Sequence, residues 1–144
     1  MSDKRDIQFR AWDIKGKHIL NVGALDWHWS HIAVYAEAET LEWRPDMDVD
    51  CVLMQLTGLK DRNGKDIYEG DIVRRRGEAT GYEVVWDPSD TGFYGRSAPY
   101  NGIPSASCQV VGLNNAGVSL EVIGNIHENP ELLRKEVKEA PSHV

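Results

Sequence analysis

A chain of 144 residues can bury a real core and fits one domain, or one domain with an added subdomain. Its hydrophobic content of 41% is that of an ordinary soluble protein, and its longest apolar runs fall far short of a bilayer's thickness. A net charge of −7, from 23 acids against 16 bases, disfavours a chain-wide electrostatic grip on nucleic acid.

The charged start Met1 to Asp6 leads into no apolar run of the kind a secretory leader needs, so cytoplasmic residence is the expectation. Cys51 and Cys108 are then expected as two reduced thiols. Ile7 to Asp13 alternates apolar and polar residues at the period of a half-buried strand. Asp13-Ile14-Lys15-Gly16-Lys17 reads as a turn, and His18 to Val22 as the returning strand of a first hairpin.

Residues 25–45 fit neither template cleanly. Asp26 to Ser30 alternates, whereas Ala33 to Glu42 is rich enough in Ala, Glu and Leu for one or two helical turns; variable hairpin or loop is the expectation. Val49 to Leu56 is apolar enough for a central strand. Asp61-Arg62-Asn63-Gly64 supplies a tight turn, because Asn and Gly tolerate the positive φ of a two-residue hairpin. Ile67 to Arg75 continues beyond that turn, punctuated by Glu69-Gly70-Asp71. Tyr82 to Asp87 is a further strand, joined to its predecessor through Gly77 and Gly81 in a manner resembling a small SH3-like barrel.

Residues 88–108 are rich in Pro, Gly, Ser and Asn and read as a long surface loop. Gln109 to Leu113, the turn at Asn114 to Gly117 and Ser119 to Ile126 read as a final hairpin. Asn129 as N-cap with Pro130 at the first helical position predicts a short helix to about Lys138, followed by a disordered tail over 140–144. The fold class expected is mainly β: several β-hairpins around a small SH3-like or barrel-like core, with a short C-terminal α-helix. Within one domain of residues 1–144, the N-terminal hairpin and variable segment take 1–48, and the β-rich core with its helix takes 49–139.

Three strings carry a resemblance. Phe9-Arg10-Ala11-Trp12-Asp13 opens the chain, Met54 to Val73 occupies its middle, and Val122-Ile123-Gly124-Asn125-Ile126-His127-Glu128-Asn129-Pro130-Glu131-Leu132-Leu133 lies near its end. In wording, order and spacing they resemble the YopX family of bacteriophage and prophage proteins. The family's usual tyrosine stands here as His127, which replaces a phenol by a titratable ring. The resemblance implies a phage or prophage accessory protein of a bacterial host cell and supplies no catalytic motif.

Asp46-Met47-Asp48-Val49-Asp50 starts like a calcium loop, but Cys51 stands where Gly is needed and Thr57 where Glu is needed. With Glu37, Glu39 and Glu42, and only Arg44 against them, Asp46, Asp48 and Asp50 form the strongest charge feature of the chain. A solvated strand edge that resists unwanted pairing accounts for them. His28 and His31, with Asp26 nearby, would converge on a metal only on a helix, whereas the flanking alternation argues for a strand and no Cys lies close; Ser105, Ser107 and Cys108 lack a nucleophile motif. No enzyme activity, no metal and no cofactor are expected.

Arg74-Arg75-Arg76 is the one basic cluster. With Tyr82, Trp86, Phe93, Tyr94, Arg96 and Tyr100 downstream it can be read as a phosphate-contacting, base-stacking surface, or as a solvated strand end above an aromatic core. The expectation is a non-catalytic β-rich module that binds a host or phage protein, or assembles with itself, away from membranes. A nucleic-acid module using Arg74 to Arg76 is the first alternative. An acidic decoy that occupies a basic, nucleic-acid-binding protein through Glu37 to Asp50 is the second.

Overall fold

The structure is a computed structural model and describes residues 6–37, 40–44, 50–79, 81–89, 91–97, 110–113 and 120–133. It divides into two compact units, Met1–Gly58 and Leu59–Val144. In the first, strands β1 (Phe9–Asp13), β2 (His18–Asp26), β3 (His31–Glu37), β4 (Thr40–Arg44) and the start of β5 (Cys51–Lys60) pair in the order β4-β3-β2-β1-β5. In the second, the end of β5 turns into β6 (Asp66–Tyr68). There β7 (Asp71–Arg75), β8 (Gly81–Asp87), β9 (Gly92–Arg96), β10 (Val110–Gly112) and β11 (Leu120–Asn125) form a sheet in the order β10-β9-β8-β7-β11. The mainly β class read from the sequence holds.

One device recurs at five strand ends: an Asp or Asn whose side-chain oxygen accepts the N–H two or more residues on. Asp13 Oδ1 accepts from Lys15 and Gly16, and Asp26 Oδ1 from His28 and Trp29. Asp61 Oδ1 accepts from Asn63 and Lys65, Asp87 Oδ1 from Ser89, and Asn125 Oδ1 from His127 and Glu128. A short polar side chain thus satisfies turn amides that no strand can reach. Asp13, Asp61 and Asn125 are buried in consequence, at 4%, 6% and 8% exposure.

Two apolar clusters hold the units. Ala11, Leu20, Ile32, Val34 and Cys51 form the first; Ile67, Val73, Tyr82, Val84, Leu113 and Leu120 form the second. Each buried Ile, Leu or Val contributes about 1.5–3 kcal/mol relative to exposure. The pattern follows from register: Ala11 lies opposite Leu20 and Leu53, and Val73 opposite Tyr82 and Val122, so period two collects these side chains on one face. Cys51 lies within the first cluster, whereas Cys108 is outside the described residues.

Several sequence expectations change. Of the readings weighed for residues 25–45, the helical turns give way to the hairpin: His31–Glu37 and Thr40–Arg44 pair antiparallel as β3 and β4, and Ile32, Ala33 and Val34 are fully buried. Cross-strand packing outweighs the helix preference of Ala and Glu. The turn after β5 is a three-residue loop, closed by Gly64 N–H to the Asp61 carbonyl at 3.0 Å and by Asp61 N–H to the Lys65 carbonyl at 2.8 Å. Gly64 alone carries positive φ, at 80°, as in a type I turn with a glycine bulge.

The proposed loop of 88–108 contains β9, paired along β8 from Glu83–Arg96 to Asp87–Gly92; residues 98–109 lie outside the described residues. The expected final hairpin does not form. β10 pairs with β9 and β11 with β7, at opposite edges of one sheet.

The C-terminal α-helix is replaced, over its described part, by a 3-10 turn at Pro130–Leu133. Leu132 N–H reaches the Asn129 carbonyl, three residues back, at 3.1 Å. Asn129 does not act as an N-cap toward the turn; its Oδ1 accepts from Asn125 N–H at 3.4 Å instead. The turn lies on β8 and β11, where Gly81 and Gly124 admit it: a Cβ at Gly124 would stand 2.6 Å from Asn129 Oδ1 and 2.9 Å from Leu132 Cδ1.

Candidate functional site

The arginine cluster is taken apart by its strand. Arg74 and Arg75 are consecutive in β7 and therefore point to opposite faces of the sheet. Arg74 meets Glu121 at 3.5 Å on a carboxylate that Arg62 already holds at 2.6 Å. Arg75 pairs with Glu78 at 3.0 Å, donates to the Tyr82 hydroxyl at 3.4 Å and lies 5.5 Å from the centre of that ring. The Tyr82 hydroxyl in turn donates to Glu78 at 2.9 Å. Hydrogen bonding to Tyr82, and next to Glu78, raises the pKa of Arg75 and fixes its charge. Arg76 is exposed beyond the strand. Two of the three cations are thus engaged within the fold.

The aromatics expected beside them are divided too. Phe93 lies opposite Trp86, with ring centroids 5.0 Å apart in an edge-on contact, and packs on the second core. Tyr94 lies opposite Val85 and so belongs to the other face. Arg96 pairs there with Glu83 at 3.7 Å. Burial raises the pKa of Glu83, and the nearby Arg96 charge only partly offsets this. Asp46 and Asp48 lie outside the described residues, while Asp50 stands just before β5, its carbonyl accepting Ile14 N–H at 3.1 Å. The described residues contain no group of three or more potential metal ligands.

Asp61 links two elements through one carboxylate. Besides holding its own turn, its Oδ2 accepts Val122 N–H from β11 at 3.0 Å. Burial pushes its carboxyl upward, but three backbone N–H groups (Val122, Lys65, Asn63) and the Lys65 charge outweigh that and leave its pKa below the ordinary value. Asp71 Oδ2 likewise accepts Tyr68 N–H at 2.8 Å. The strings that looked like signatures hold turns.

What sequence reading missed is the tip between β2 and β3. Trp27 and Trp29 are 67% and 66% exposed, on a turn that Asp26 fixes by accepting two backbone N–H groups. Ser30 closes it with φ of 53°, a region that few non-glycine residues occupy. The Trp27 ring meets Phe9 edge-on at 6.4 Å, and the Trp29 ring meets His28 edge-on at 4.7 Å. Ile7, two residues before Phe9, is 62% exposed. The readable signal was an Asp followed by two tryptophans and a Ser within five residues, between two strand-like runs.

Among the described residues these observations define an all-β protein of two antiparallel sheets, with Asp and Asn side chains holding several turns and its two most exposed tryptophans on one hairpin tip. A family model described as YopX protein matches residues 8–134, and the chain belongs to the YopX family. Among solved structures it is similar to the crystal structure of protein EF1440 from Enterococcus faecalis. That likeness has a TM-score of 0.56 and 31% sequence identity, over 91% of this chain and all (100%) of that one. No functionally curated protein matches the chain. No helix among the described residues is long and apolar enough to cross a membrane.

Proposed function

We propose that this protein is a non-catalytic protein-binding module that docks through the β2–β3 tip. The observation that carries the reading is the exposure of Trp27 and Trp29 on a turn braced by Asp26. Tryptophan is the residue most enriched among interface anchors, and a braced turn loses little freedom when a partner covers it. The nucleic-acid reading draws less support, because Arg74 and Arg75 already meet Glu121 and Glu78 and the chain carries −7 overall. The partner is a host or phage protein with an apolar recess able to take an indole, and no cofactor takes part.

The test is a capture experiment from bacterial lysate with tagged wild type and a W27A/W29A variant, each with nuclease at low and high salt. A discrete protein retained by wild type after nuclease, and lost by a variant of unchanged circular dichroism, is the expected result. Equal capture by both overturns the role of the tip. Nucleic acid that co-elutes and washes away with salt overturns the protein-binding reading.

A further inference from the structure

The outer edge of β11 is occupied by something that is not a strand. Glu121 faces β7, so Leu120 and Val122 turn backbone groups outward, where a neighbouring strand would ordinarily pair. The turn after β5 meets them instead. Arg62 N–H donates to the Leu120 carbonyl at 2.9 Å, and Val122 N–H donates to Asp61 Oδ2 at 3.0 Å. A carboxylate oxygen stands in for the carbonyl of a missing strand. The Arg62 guanidinium then fastens the turn to the Glu121 side chain at 2.6 Å. Asp61 and Arg62 between them supply a donor, an acceptor and a charge.

We infer that the Asp61–Lys65 turn is an edge guard, which keeps β11 from pairing with β11 of a second copy of this chain. Unguarded, Leu120 to Asn125 still offers pairing groups, although a register shift between Val122 and Gly124 bulges it: it contains Leu, Val and Ile, lacks Pro, and lies at the end of its sheet. Because the shift sets two residues, Val122 and Ile123, where β7 has Val73 alone, antiparallel pairing of two such strands about the Val122–Ile123 centre sets Glu121 of each against Gly124 of the other. No like charges then meet, and the contact closes as an isologous dimer. The guard is a function for the Asp61-Arg62 pair that turn formation alone does not require.

Two substitutions open the edge while sparing the turn. Asp61→Asn keeps an Oδ1 acceptor for Asn63 and Lys65 but sets an amide NH₂ against Val122 N–H. Arg62→Pro removes the donor to Leu120 and the cation on Glu121, at a turn position that favours Pro. Wild type is expected to elute as a monomer in size exclusion with light scattering, with slow exchange of the Val122 amide. Each variant is expected to give a dimer that Ile123→Lys, placed on the same edge, returns to monomer. Should D61N not fold, R62P decides. A folded variant that stays monomeric at every accessible concentration overturns the inference. So does a wild type already dimeric through β11, or a dimer that I123K leaves intact.

Discussion

The carbonyl of Leu132 lies over the backbone of Gly81, so close that a Cβ there would stand 2.6 Å from its oxygen. Ile72 Cγ2, at 2.8 Å, closes the other side. The obstruction is backbone, which cannot swing aside as a side chain can. Gly81→Ala should therefore lift the Pro130–Leu133 turn from the sheet and cost about 1–3 kcal/mol. Gly124→Ala meets only the ends of Asn129 and Leu132 and should cost less. Urea midpoints of the two variants, at equal slope, check the order.

Asp61 makes stability depend on acid. Its folded pKa lies below its ordinary value of 3.8, so its contribution is complete above 3.8 and is lost as pH falls through the folded value. Asp61→Asn, measured at a dilution where chains do not associate, should cost about 1–3 kcal/mol at neutral pH through the unmet Val122 amide. The gap to wild type should narrow in acid. Thermal melts from pH 7 down to the acid transition measure it.

Glu83 has the opposite sign. Burial raises its pKa above the ordinary 4.5, so its charged form weakens the fold; the advantage is full below 4.5 and lost as pH rises through the folded value. Glu83→Gln should raise Tm at neutral pH despite losing the 3.7 Å contact with Arg96, and leave it unchanged below 4.5. A lower Tm at neutral pH would show that the Arg96 pair outweighs desolvation.

The first hairpin was legible because alternation and turn chemistry agree from Phe9 to Val22, and the structure pairs those strands as expected. The β3–β4 pair was legible only as one reading among others, because Ala33 to Glu42 also has a local preference for helix that the neighbouring strands overrule. The final hairpin was misread for a related reason: β10 and β11 are neighbours in sequence, yet each finds a better partner in β9 or β7. Nothing local in Arg74-Arg75-Arg76 announces Glu121 as a partner, since it lies 47 residues from Arg74, whereas Glu78 stands only three residues beyond Arg75. The tryptophans of the tip were visible as residues, but their exposure depends on where the strands end.

The bond between Asp61 and Val122 spans 61 residues. Hairpins such as β7–β8 and β8–β9 are local and can form within about 1–10 μs, whereas β11 cannot dock until it has been made. At about 5–20 residues per second of synthesis, roughly 3–12 s separate the appearance of the Asp61 carboxylate from that of its amide partner. During that interval the outer side of β7 has no strand beside it. A ribosome stalled before Leu120 would thus present β7, with Ile72 and Val73, to whatever chaperone or neighbouring nascent chain reaches it first.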